Sequence, residues 1–193
     1  MTAKHEIGTR ERIVQATSRL MQRRGYGATG LKEISREAQA TLGSVYHFFP
    51  GGKQELAVAA IRHGEQEFAE LLRETLDRED DPGAAIVACS RELATGLRES
   101  GWLDGCPITT TALESAGVAP DIQRAAAEAF ASWRALVRDR LIRAGFADDV
   151  ADELAHTVVN TLEGAEMSAQ VSQSEAPLEI AGRHLARLID SYR

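Results

Sequence analysis

Leu42, Gly43, Ser44, Tyr46 and His47 crowd small, hydroxylated and aromatic side chains onto one short stretch. That mixture suits hydrogen bonding and close van der Waals approach to the floor of a DNA major groove, a chemistry of recognition without bond breaking. The residues that must position this front lie on either side of it. Leu31, Ile34 and Ala38 recur at the three and four spacing of a buried helix face, with Lys32, Glu33, Arg36 and Glu37 on the opposite side. After Gln39-Ala40, Thr41 can cap a second short helix whose Val45 and Phe48 point inward. Two short helices joined by a tight polar break follow the pattern of a helix-turn-helix.

Other chemistries find little support. Glu153-Leu-Ala-His156 is the sole Glu-x-x-His, and di-iron bundles need that motif twice with further glutamates on two other helices. His5, His47, His63 and His184 each lack an acid three residues earlier. A helical-bundle metalloenzyme is therefore the weakest alternative, and no metal or other cofactor is expected. No Gly-x-Ser-x-Gly, Walker or dinucleotide fingerprint occurs, so no catalytic residue is assigned. Cys89 and Cys106 form no Cys-x-x-Cys pair and read as reduced thiols. Cys106 would sense oxidation only as an exposed thiolate, and nothing near it in sequence is cationic.

The chain has 193 residues, 44% hydrophobic and 26% charged, enough for a substantial core in one or two small domains. It contains no apolar run of membrane-spanning length, and Met1 to Arg10 lacks the apolar core of a signal peptide, so a cytoplasmic protein is expected. Net charge is −7, which seen alone argues against a nucleic-acid partner. Its distribution argues the other way. Residues 1 to 55 carry Lys4, Arg10, Arg12, Arg19, Arg23, Arg24, Lys32, Arg36 and Lys53 against Glu6, Glu11, Glu33, Glu37 and Glu55, a net of +4 that leaves −11 for the rest. One basic and one acidic module is the asymmetry of a chain that meets phosphate at one end.

Pro50, Pro82, Pro107, Pro120 and Pro177 interrupt no periodic segment, and strand alternation is absent. The chain reads as all-α with nine helices near 9–24, 30–38, 42–48, 53–78, 82–99, 107–116, 120–144, 148–171 and 177–191. Thr9, Glu11 and the face Ile13, Ala16, Thr17 and Leu20 support the first, which would brace the two short ones. Residues 1–52 form the expected helix-turn-helix domain and 53–193 a helical body, joined without a Gly/Ser-rich linker. In the last two helices Leu154, Val158, Leu162 and Ala165, then Leu178, Ala181, Leu185 and Leu188, make apolar stripes. They would either form a four-helix interface between two copies or fill the chain's own core.

Gly25-Tyr26-Gly27-Ala28-Thr29, Ile34, Gly43-Ser44-Val45-Tyr46-His47-Phe48-Phe49 and Lys53-Gln54-Glu55-Leu56 stand in an order and spacing that resembles the TetR family of transcriptional regulators. Phe49-Pro50-Gly51-Gly52-Lys53 and Gly105-Cys106-Pro107-Ile108 are similar to its LmrA/YxaF-like branch. The resemblance implies a three-helix DNA-binding domain and a helical domain that dimerises and holds a ligand. It implies a homodimeric repressor, released by a small lipophilic or aromatic effector from a palindromic operator in double-stranded DNA. Carried over by position, Thr29 would cap the second helix and contact phosphate. Tyr46 and His47 would touch backbone or base edges, Lys53 would grip phosphate, and Gly43 and Ser44 would allow close approach, with Lys32 and Leu42 beside them.

For the effector, Trp102, Cys106, Thr109, Thr110, Leu113, Phe130, Trp133, Val137, Thr161 and Met167, with Leu103 and Ile108, offer an apolar lining with polar handles. Glu114, Glu163 and Glu166 would meet a cationic effector or be solvated carboxylates. Two departures from the family pattern stand out. Gln39 replaces the usual turn glycine, which in a left-handed conformation costs roughly 1–2 kcal/mol, and Leu42 replaces a polar or basic residue. They keep open a helical small-molecule-binding dimer without DNA function.

Overall fold

The computed structural model describes residues 7–193; Lys4, His5 and Glu6, and with them the start of the Met1 to Arg10 leader reading, lie outside the described residues. Among the described residues the architecture is all-helical, as the periodicity implies: α1 (Thr9–Ala28), α2 (Leu31–Glu37), α3 (Leu42–Phe48), α4 (Gly52–Arg78), α5 (Pro82–Glu99), α6 (Thr109–Glu114), α7 (Pro120–Arg143), α8 (Asp148–Ser172) and α9 (Ala176–Asp190). Two compact units result. One takes the chain through Glu65 together with Pro107–Ala126, and the other takes Gln66–Cys106 and Ala127–Arg193. The expected division at residue 52 follows role, whereas compactness groups 53–65 and 107–126 with the N-terminal helices.

In the first unit α1 packs on α2, α3 and α6. Its core joins Ile13, Ala16 and Leu20 of α1 to Ile34 and Ala38, Val45 and Phe49, and Leu56, with Leu31 and Phe48 partly buried against them. Burying a side chain of this size contributes about 1.5–3 kcal/mol, so this cluster carries the short helices, which would not persist alone. Regular α1 ends at Gly25, where φ is +75° and the chain turns before Ala28. Only glycine fits there: a Cβ would sit on the Glu114 carboxylate of α6.

The second unit centres on Trp133 of α7, 1% exposed, with Phe68 edge-on at 4.7 Å and Phe130 at 5.2 Å. Around it α5 packs on α8 and α9, and α8 on α9. Asp81 caps α5 by accepting from the Ala84 N–H at 2.7 Å, with Pro82 in the first turn. The end of α4 is closed by a residue that periodicity passes over. Buried Arg140 donates to the carbonyls of Leu76 at 3.1 Å, Glu79 at 2.7 Å and Asp80 at 2.6 Å. A guanidinium on the orphan carbonyls of a helix C-terminus satisfies both hydrogen bonding and the helix dipole.

Candidate functional site

The turn between α2 and α3 positions the exposed front. Gln39 holds φ +49°, the left-handed conformation expected where a glycine is usual, while its N–H donates to the Arg36 carbonyl at 3.1 Å and the Ala40 N–H to that of Ser35 at 2.9 Å. Arg12, which the sequence marks only as one basic residue among several, donates from Nε to the Ala38 carbonyl at 3.1 Å and from its terminal nitrogen to the Ile7 carbonyl at 2.9 Å. It ties the start of α1 to the end of α2. Thr41 then caps α3, accepting from the Ser44 N–H at 3.0 Å with the two hydroxyls 2.9 Å apart, an arrangement that contributes about 1 kcal/mol.

With Val45 buried, α3 presents Gly43, Tyr46 and His47 outward; Tyr46 is 51% exposed and His47 meets Phe48 edge-on at 5.0 Å. Leu42 and Ser44 are half-buried at the edge of this front, and Lys32 is exposed on α2. Thr29 requires a correction. Gly30, not Thr29, precedes α2 as its cap, without a side-chain bond, and the Thr29 hydroxyl donates back to the Gly25 carbonyl at 2.8 Å. At 0% exposure Thr29 presents nothing to a phosphate. Its role is to close the end of α1.

Lys53 lies beside this closure. Its ammonium donates to the Gly27 carbonyl at 3.3 Å and stands 4.4 Å above the Tyr26 ring. Burial lowers its pKa, and the negative charge of Glu114 works against that shift. Glu114 in turn accepts from the Gly27 N–H at 2.7 Å, so it is neither simply solvated nor directed at an effector. Within this unit a single carboxylate thus joins α6 to the Gly25–Thr29 bend and biases the lysine next to it.

The second unit holds an apolar cavity of about 390 Å³, counting the part open to solvent. Trp133 and Val137, two of the residues expected to meet an effector, line it, and Phe130 abuts Trp133. Phe68 and Leu72 of α4, Ile86, Cys89 and Leu93 of α5 and Val159 of α8 complete the wall, and no sequence signal marked them. The other residues expected to meet an effector do not line this cavity. Thr161 and Met167 are exposed on α8, Thr109, Thr110 and Leu113 belong to α6 in the other unit, with Leu113 68% exposed, and Trp102 and Cys106 lie on the loop after α5, outside the lining. Burial pushes the Cys89 thiol up to about 12, with Glu92 adding to the shift, which leaves it an inert wall residue.

The expected dimer seam is corrected as well. Leu154, Val158, Leu162, Leu178, Ala181 and Leu185 are buried within the chain's own second unit, and Ala165 and Leu188 are half-buried. Val158 and Leu162 line the cavity. Strong three-four stripes mark the face that a helix buries against its own chain. The faces of α8 and α9 left exposed carry Thr157, Thr161, Gly164, Ser168 and Val171, and Ile180. Glu153 and His156 are exposed on α8 and join no third metal-ligating side chain among the described residues.

Comparison with known proteins agrees with this geometry. Residues 13–60 match the model of bacterial regulatory proteins of the TetR family, and residues 82–184 match that of the C-terminal domain of LmrA/YxaF-like transcriptional regulators. The chain is 32% identical to the HTH-type transcriptional regulator YxaF of Bacillus subtilis over 94% of its length and 95% of the relative's. It is 31% identical to the regulator LmrA of the same organism, over 88% and 90%. Among solved structures, a TetR regulatory protein of Rhodobacter sphaeroides superposes with a TM-score of 0.83 at 24% identity, covering 93% of this chain and 97% of that one.

Proposed function

From the premise that the chain belongs to the TetR family, as a DNA-binding transcriptional regulator and not an enzyme, we propose that it is a homodimeric repressor. It reads a palindromic operator and is released by a small apolar or aromatic effector. The observation that carries the reading is the division of α3 into a buried Val45 and an outward front of Gly43, Tyr46 and His47, capped by Thr41. Such a helix enters a major groove, and two copies related by a two-fold axis require a two-fold site with half-sites about one helical turn apart. Lys32 and Lys53 are the proposed phosphate contacts.

The proposed dimer contact is the exposed face of α8 and α9, where Thr161, Gly164 and Ser168 permit close approach and Met167, Val171 and Ile180 supply apolar area. The proposed effector site is the cavity against Trp133 and Phe68. Helix α4 contributes Gly52–Glu65 to one unit and Gln66–Arg78 to the other, so effector binding that shifts α4 would change how Lys53 and α3 are presented. Reciprocity follows: operator DNA weakens effector binding by the same factor, typically about 1–3 kcal/mol. No helix among the described residues is long and apolar enough to cross a membrane, and the proposed place of action is the cytoplasm.

The test is fluorescence anisotropy on DNA from the protein's own promoter region at several salt concentrations. Wild type should bind with a steep salt dependence, and Tyr46→Ala with Lys53→Ala should bind more weakly and lower the log–log slope by about one for the lost ammonium. Absence of salt-dependent binding by wild type would defeat the proposal.

A further inference from the structure

Three ligand-bearing side chains that the DNA-reading function does not use meet in the second unit. Cys106 Sγ and one carboxylate oxygen each from Glu163 and Glu166 lie within 4.8 Å of one another. Glu163 and Glu166 are three residues apart on α8, hence on one face of the helix. Cys106 reaches them from the loop that follows α5, and that loop is fastened to α8. The Gln170 carboxamide donates to the Leu103 carbonyl at 3.2 Å, and a side chain at buried Gly105 would collide with Gln170. The juxtaposition is therefore held from both sides.

Glu166 is the second observation that points to a ligand. It is 7% exposed, its carboxylate stands beside that of Glu163 and the Cys106 thiol, and no hydrogen bond or ion pair reaches it among the described residues. A buried carboxyl facing another carboxylate and a thiol is an expensive arrangement that a bound cation relieves. Cys106 and Glu163 are partly exposed, which gives an ion a way in.

We propose that Cys106, Glu163 and Glu166 bind one divalent transition-metal ion of the zinc class. Sulfur plus carboxylate oxygens is a donor set for zinc or cobalt, and three protein ligands leave a fourth position for water or a small ligand. Bond lengths of about 2.0–2.3 Å require the three atoms to draw in by roughly half an ångström each, within the reach of side-chain rotation. Binding releases the thiol proton and any carboxyl proton to solvent. Glu163 also lines the apolar cavity, so the ion stands at its edge.

The experiment is titration of the untagged full chain with Co²⁺, followed by absorption, and with Zn²⁺, followed by calorimetry, with thermal unfolding of each variant alongside. The expected result is saturation at one ion per chain with a thiolate-to-cobalt charge-transfer band. Cys106→Ser removes that band, Cys89→Ser keeps it, and Glu166→Gln weakens binding roughly tenfold or more. Cys106→Ser acts at a partly exposed position and so reports even if Glu166→Gln unfolds. Absence of saturable binding, or binding unchanged in Cys106→Ser, would overturn the site. Either result leaves the DNA-reading front of α3 unaffected.

Discussion

The front of α3 takes Gly43, Tyr46 and His47 from one helix of seven residues, whereas the cavity takes Phe68 from α4, Ile86 and Cys89 from α5, Trp133 and Val137 from α7, and Val158 and Glu163 from α8. In the first region the chain's own periodicity decides which side chains face out. In the second, four helices must pack before any wall exists. A recognition surface on one helix can thus be read as a pattern, while a cavity is a product of tertiary packing.

Two aromatic residues make the contrast measurable. Trp133→Ala removes a side chain that is 1% exposed and should destabilise the protein by about 3–5 kcal/mol in urea unfolding, with the cavity enlarged. Tyr46→Ala, at 51% exposure, should leave the unfolding midpoint almost unchanged and act on operator affinity instead. A large stability loss at Tyr46 would place it in the core and remove it from the reading front.

The body also depends on a charge that no stripe reveals. Arg140→Met strips the carbonyls of Leu76, Glu79 and Asp80 of their donor and should cost about 2–3 kcal/mol by the same measurement. In the reading unit the strained position works in the opposite direction. Gln39→Gly relaxes φ +49° and should stabilise by about 0.5–1 kcal/mol, offset in part by the greater freedom of the unfolded glycine. No change would mean that the turn is held in this conformation without measurable cost.

At Asp81 the effect depends on pH. The Ala84 N–H first, and then the Arg193 guanidinium, hold its carboxyl below the usual carboxylate range. A depressed folded-state pKa contributes stability that is present above the unfolded value near pH 4 and is lost as pH falls through the folded one. Asp81→Ala should therefore cost about 1 kcal/mol at neutral pH, reduced by the exposure of the pair, and should flatten the acid limb of the stability profile. An acid limb of unchanged slope would show that Asp81 contributes nothing to it.

Much of this was visible in the residues themselves. The helix pattern, the Thr41 cap and the buried Val45 follow from spacing and local backbone chemistry, because each depends on neighbours within a turn or two, whereas the left-handed Gln39 follows from the glycine usual at that place in the family. The resemblance alone makes Thr29 a cap for α2, whereas its hydroxyl turns back to Gly25. The stripes of α8 and α9 were visible, but apolar periodicity does not say whether the covering surface belongs to the same chain or to another. Arg12, Arg140 and the Cys106–Glu163–Glu166 group escaped for one reason: their partners are far away in sequence.

In the proposed function α3 reads DNA as one half of a symmetric pair. Selection of bound duplexes from a random double-stranded pool, with the mass of the resulting complex, tests it most directly. The expected result is enrichment of a two-fold symmetric sequence with half-sites about one helical turn apart, bound by two chains per duplex. A pool without enrichment, or an asymmetric site held by a single chain, would contradict it.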